Sequence, residues 1–175
     1  MIRLRPAFLL FLCACQEMPT AEESFLRGNV LLDSGDPRGA IDSYTTALEQ
    51  NPKLPRAYNN RGLAHAALKE FDAAVADYDH CLALPEPFAE AYYNRGVARF
   101  RLDRKADAVL DFTEALKLNS QYVRAFAGRG LVFSAGGDRD SALADFRKAL
   151  ELAPQDWSER KSIEAEIARI SEPKK

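Results

Sequence analysis

The sequence predicts an all-α solenoid of four helix-turn-helix repeats closed by a C-terminal capping helix. An Arg-Gly pair recurs at a fixed interval of 34 residues, at Arg27-Gly28, Arg61-Gly62, Arg95-Gly96 and Arg129-Gly130. Such a period decides the architecture before any local feature does. Further columns fill in the same register: Ala40, Ala74, Ala108 and Ala142, then Tyr44, Tyr78, Phe112 and Phe146, then Ala47, Cys81, Ala115 and Ala149. Within each block the apolar residues return at three and four, the spacing of one helix face.

The blocks run 21–54, 55–88, 89–122 and 123–156 without an insertion. In the first, "SGDP" at 34–37 makes Asp36 the N-cap and Pro37 the first residue of a second helix. "RLDRKAD" and "AGGD" mark the same turn in the third and fourth blocks, and "NP", "LPEP", "NS" and "AP" separate one block from the next. A mid-helix glycine costs about 1 kcal/mol against alanine. Its recurrence is explained where two helices of a hairpin cross, because a missing Cβ lets the backbones close. One hairpin cannot bury its own apolar face, so each stacks on the next. After the fourth block, "DWSERKSIEAEIARI" offers a capping-box pattern at Asp156 and Glu159 and an apolar stripe of Trp157, Ile163, Ile167 and Ile170. Residues 157–171 are therefore expected to cap the stack, leaving 172–175 as a tail.

These columns resemble the tetratricopeptide repeat (TPR) family. Tyr58, Tyr92 and Phe126 match its first aromatic, where the first block has Ser24, and Pro52 and Pro154 match its closing proline. The resemblance implies a right-handed TPR solenoid that binds proteins rather than transforming a substrate. Arginine departs from the family's usual leucine. Asp77, Asp111 and Asp145 each follow an arginine by sixteen residues, so a repeated Arg–Asp bridge is expected, with an anion-binding ladder as the functional alternative. The first block has Ser43 instead, and Asp42 is expected to serve there.

"MIRLRPAFLLFLCAC" is too short to span a bilayer, which takes about 20 apolar residues. Its layout is that of a secretory signal, and "LCAC" resembles a bacterial lipobox. That resemblance implies a signal peptide over 1–14, a lipidated Cys15 and a short linker over 15–20. Gln16 then implies a lipid-anchored protein of the cell outer membrane facing the periplasm. The alternative is a soluble cytosolic TPR adaptor without a lipid anchor, its first residues an uncleaved apolar stub. Loss of Arg3 and Arg5 with the leader would take the formal charge from −2 to −4, which argues against nucleic acid.

No catalytic constellation, metal-ligand spacing or cofactor motif stands out, so no enzyme, metal, cofactor or small-molecule substrate is expected. His65 and His80 lie fifteen residues apart without ligand spacing, and Cys81 occupies a small-residue column. By the resemblance, a protein or peptide partner lies in the concave groove of the first helices. The candidate contacts are Asn29, Arg56, Asn59, Asn60, Tyr93, Asn94, Arg101 and Arg124, flanked by Asp33, Leu63, Val97 and Leu131. Asparagine can pair with both groups of a peptide bond and tyrosine offers a stacking face; a plain solvated face is the alternative. Chaperone-binding TPRs hold a terminal carboxylate with a basic–asparagine clamp. Asn29 and Asn60 match that clamp, but its basic positions fall on Phe25, Glu90 and Asn94.

Overall fold

The computed structural model describes residues 19–172. Nine helices lie among them: α1 (Ala21–Asp33), α2 (Pro37–Gln50), α3 (Pro55–Ala67), α4 (Phe71–Ala83), α5 (Ala89–Arg101), α6 (Lys105–Leu118), α7 (Val123–Gly136), α8 (Arg139–Leu152) and α9 (Arg160–Ser171). Each helix packs on its sequence neighbours, and α1–α3, α3–α5 and α5–α7 also touch. The odd-numbered helices thus line one face of the stack.

The hairpin turns repeat with the sequence. Gly35, Lys69, Asp103 and Gly137, spaced at the repeat period, all take positive φ, at 83°, 63°, 58° and 84°. In each turn the next amide reaches five residues back, as from Asp36 N to Leu31 O at 2.8 Å and from Glu70 N to His65 O at 2.9 Å. This bond closes the last turn of the first helix and satisfies a carbonyl that would otherwise be orphaned. Asp36 caps α2 through Gly39 N at 3.0 Å, as the sequence indicates.

The glycines face the aromatics of their own hairpin. A Cβ on Gly28 would lie 2.5 Å from the Tyr44 ring, one on Gly62 2.7 Å from Tyr78, and one on Gly130 2.7 Å from Phe146. Tyr44, Tyr78, Phe112 and Phe146 are fully buried as a result. Each such ring contributes about 1.5–3 kcal/mol through burial, more than the helix propensity that its glycine forfeits.

The expected ion pairs also form. Arg61, Arg95 and Arg129 meet Asp77, Asp111 and Asp145 at 2.7, 2.7 and 2.8 Å. Each arginine also reaches back to the preceding hairpin, at Thr45 (3.1 Å), Asp79 (2.5 Å) and Thr113 (3.0 Å). Because its own acid and a neighbour's acceptor hold each guanidinium, the row joins hairpins and leaves no anion ladder. The guanidinium of each lies over an aromatic one turn earlier, Tyr58, Tyr92 or Phe126, at 5.5–5.9 Å. The first repeat differs. Asp42 does not pair with Arg27, which makes no ion pair among the described residues, and Ser43 turns back to Gly39 O at 2.9 Å. With Ser24 in the aromatic column and Ser43 in the acidic one, that repeat has lost both supports for its arginine.

The C-terminal cap also departs from expectation at its start. Glu159 occupies the N-cap of α9 without a side-chain bond, so the helix begins three residues later than Trp157 and no Asp156 capping box forms. The capping box instead opens α1, between Thr20 and Glu23. Arg160 anchors α9 by donating to Ala153 O at 2.9 Å and Leu150 O at 3.1 Å. Ile163 is buried against Phe146 and Ala149, with Trp157, Ile167 and Ile170 packed around it.

Candidate functional site

The face lined by odd-numbered helices holds two adjoining hollows of different chemistry. The first, about 900 Å³, lies over α1 and α3 and is lined by Phe25, Asn29, Arg56, Asn59, Asn60 and Glu90, with Glu22 and Glu86 at its rim. The second, about 370 Å³, lies over α5 and α7 and includes Tyr93, Val97, Arg101, Phe112, Arg124 and Leu131. Trp157 and Ile163 of the cap close its far wall.

A row of amides runs between them. Asn29 Oδ1 accepts from the Tyr44 hydroxyl at 2.8 Å and from Asn60 Nδ2 at 2.9 Å. Asn60 accepts from Asn59 at 3.1 Å, and Asn59 accepts from Asn94 at 3.1 Å. Three helices are tied together by this row. Asn59 is only 3% exposed, so it supports Asn60 and Asn94 from below. The other candidates are accessible: Arg56, Arg101 and Arg124 are exposed, while Asn29, Asn60, Tyr93 and Asn94 are half-buried.

Tyr93 lines the second hollow. Its ring meets Phe112 at 5.7 Å and Tyr122 at 5.2 Å. Burial raises the Tyr93 hydroxyl, Arg124 opposes the shift and Glu159 adds to it. Tyr122 is pushed up to about 12, first by burial and then by Glu90. Both are neutral donors in the physiological range, able to bond a peptide carbonyl. Sequence reasoning assigned Trp157 and Ile163 to the cap alone and did not reach Phe112 or Gly128 as groove residues. One signal was available: Gly128 falls in the column of Leu26, Asn60 and Asn94 without being a signature glycine.

The position of the chaperone clamp is now concrete. Phe25, Asn29, Asn60 and Glu90 do converge on the first hollow, but Glu22, Glu86 and Glu90 outnumber its one arginine, Arg56, and leave the lining net negative. It would repel a terminal carboxylate. Elsewhere, His65 Nδ1 pairs with Glu70 at 2.7 Å and His80 stacks on Tyr58 at 5.3 Å. Burial raises the Cys81 thiol to about 11, so it packs as a small apolar group. Among the described residues, three or more metal-ligating side chains nowhere converge.

Comparison with known proteins agrees with this geometry. Models of the tetratricopeptide repeat match residues 25–84, 89–122 and 123–156. The chain is similar to small glutamine-rich tetratricopeptide repeat-containing protein 2 of Saccharomyces cerevisiae, 36% identical over 64 residues, 37% of this chain and 18% of that one. It is also similar to Hsp70-Hsp90 organizing protein 2 of Arabidopsis thaliana, 35% identical over 57 residues, 33% of this chain and 10% of that one. The chain thus spans less than a fifth of either relative. Among solved structures, MamA superposes with a TM-score of 0.72 at 27% identity, over 75% of this chain and 77% of that one. The first TPR of Spaghetti (RPAP3), bound to the HSP90 peptide SRMEEVD, gives 0.65 at 30% identity, over 67% and 93%.

These likenesses correct the expected location in the outer membrane, lipid-anchored and facing the periplasm. Hsp70-Hsp90 organizing protein 2 is named for chaperone organisation and the Spaghetti TPR for a bound HSP90 peptide, and neither is named as an envelope lipoprotein. Cys15 and the lipobox lie outside the described residues, and no described helix is long and apolar enough to cross a membrane. With four hairpins in one 34-residue register and family matches across them, the chain belongs to the tetratricopeptide repeat family.

Proposed function

We propose that the chain is a soluble TPR adaptor, without a lipid anchor, that holds an extended segment of a protein partner along its concave face. One observation carries the reading: a hydrogen-bonded amide row and a hollow lined by Tyr93, Arg101 and Arg124 lie on odd-numbered helices of that same face. Asn60 and Asn94 are half-buried yet reachable, and the row leaves Asn94 Oδ1 and the second Nδ2 hydrogen of each amide to pair with a peptide backbone. Tyr93 and Arg124 belong to the residue types that most often anchor interfaces. The Spaghetti TPR named above, which binds a peptide, supports the mode of binding. The acidic first hollow disfavours the terminal-carboxylate clamp and leaves an internal segment as the better ligand.

A photo-crosslinking residue placed at Leu131, on the concave face, should capture the partner, whereas one at the exposed Leu110 of α6 should not. Tyr93→Ala with Arg124→Ala should weaken capture by at least about 2 kcal/mol, and Arg124→Ala alone should weaken it with little change in melting temperature. Capture from Leu110 alone would move the site to the outer face. The intact mass of the protein from its own host should carry no acyl group; a lipid-sized increase at Cys15 would overturn the anchor-free reading.

A further inference from the structure

The two hollows differ because the groove columns change partway along the stack. Where the second and third repeats place Asn60 and Asn94, the fourth has Gly128, and a Cβ there would lie 2.9 Å from the Phe112 ring. The amide is removed, the Phe112 ring packs on the bare Gly128 backbone, and both residues belong to the lining of the recess. The column of Asn29 becomes Leu63, Val97 and Leu131, and Leu131 stays 41% exposed at the lip. The column of Glu22 runs on through Arg56 and Glu90 to Arg124, and that of Asp33 through Ala67 to Arg101, so the second hollow has two arginines where the first has Arg56 among three glutamates. Both arginines are exposed and neither pairs with a carboxylate among the described residues. They contrast with Arg61, Arg95 and Arg129, each of which has its acid.

Arg101 closes α5 and Arg124 opens α7, so in the repeat frame they stand eleven positions apart. At 1.5 Å per residue that is about 16 Å along the helix axes. Both cations line the recess, and this separation along the helices keeps one carboxylate from meeting both. A segment with acids two residues either side of an apolar anchor spans about 13 Å when extended. The recess, at about 370 Å³, is at the lower end of ligand pockets and suits one bulky side chain.

We infer that this recess selects an internal acidic–hydrophobic segment, seating one Leu- or Phe-sized side chain between Val97 and Leu131 with carboxylate side chains meeting Arg101 and Arg124. The inference rests on the concave-groove reading and adds the chemistry of the partner. Glu159 is the acid on the pocket wall, and its nearness to Arg124 weakens without cancelling the positive rim.

Panning the full chain against a random peptide display library, in free-ended and blocked-end formats, tests this. The expected consensus is a bulky apolar residue flanked by Asp or Glu, in both formats. Arg101→Glu with Arg124→Glu should turn the flanking preference basic and weaken the original peptides at least tenfold. Leu131→Gln should relax the choice at the apolar position alone. These three residues are exposed, and an unchanged melting temperature confirms that the variants fold. Enrichment without flanking acids, unaltered by charge reversal, or confined to free C-termini overturns the inference while leaving the groove reading intact. Peptides that crosslink outside α5, α7 and α9, or no enrichment at all, overturn both.

Discussion

Arg61 and Asp77, sixteen residues apart, form a two-pronged ion pair, Nε to Oδ2 at 3.0 Å and Nη2 to Oδ1 at 2.7 Å. The free nitrogen of Arg61 reaches Thr45, so a pair within one hairpin also fastens that hairpin to the one before it. Asp77→Ala would leave a half-buried guanidinium uncompensated and should cost about 3 kcal/mol in urea unfolding. Arg27→Ala, where no such pair exists, should change stability by less than about 0.5 kcal/mol. Replacing Arg61 and Asp77 together by leucine should cost less than Asp77→Ala alone.

Lys69 holds a positive φ of 63° in a turn where the first and fourth repeats use glycine. A side chain in that conformation costs roughly 1–2 kcal/mol. Lys69→Gly should therefore raise stability by about 1 kcal/mol, after some loss to the freer unfolded chain. Gly35→Ala should lower it. Chemical denaturation of the two variants gives both signs.

Asn59 is a test of support against contact. Its buried amide bonds both Asn60 and Asn94, so Asn59→Ala removes two bonds in the interior. A loss of about 1–3 kcal/mol is expected. Asn94→Ala should cost less, since Asn94 is partly in solvent. Melting curves of the two variants should separate clearly.

Glu166 joins the cap to the last hairpin. It accepts from Arg169 at 2.6 Å and from Ser134 at 2.7 Å. Arg169 first, and Ser134 second, pull its carboxyl down from 4.5 to about 2. A depressed carboxyl stabilises the fold fully above its unfolded pKa, and that contribution fades as pH falls through 4.5 towards 2. Arg169 is largely exposed, so screening limits the effect to about 1 kcal/mol. Glu166→Gln should melt earlier than wild type at neutral pH, and the gap should narrow below pH 4.5 and close near pH 2.

The repeat period, the hairpin turns, the Arg–Asp pairs and the buried aromatic columns are all legible in the sequence. Each is set by residues at fixed spacing within or between adjacent helices, where helical geometry alone dictates contact. The groove was legible as a face but not as a site. Asn59 and Asn60 are neighbours of the same type, yet packing of α3 between α1 and α5 buries one and presents the other. The recess needs Gly128 on α7, Phe112 on α6 and Trp157 before α9, residues from three elements that only the stacking curve brings together. The departure of the first repeat was visible as Ser24 and Ser43, but whether Asp42 could replace the missing acid depended on where its helix turned that side chain. Local periodicity determined the fold because each hairpin meets only its neighbours. Tertiary packing decided which polar residues are free, because exposure depends on what the next hairpin covers.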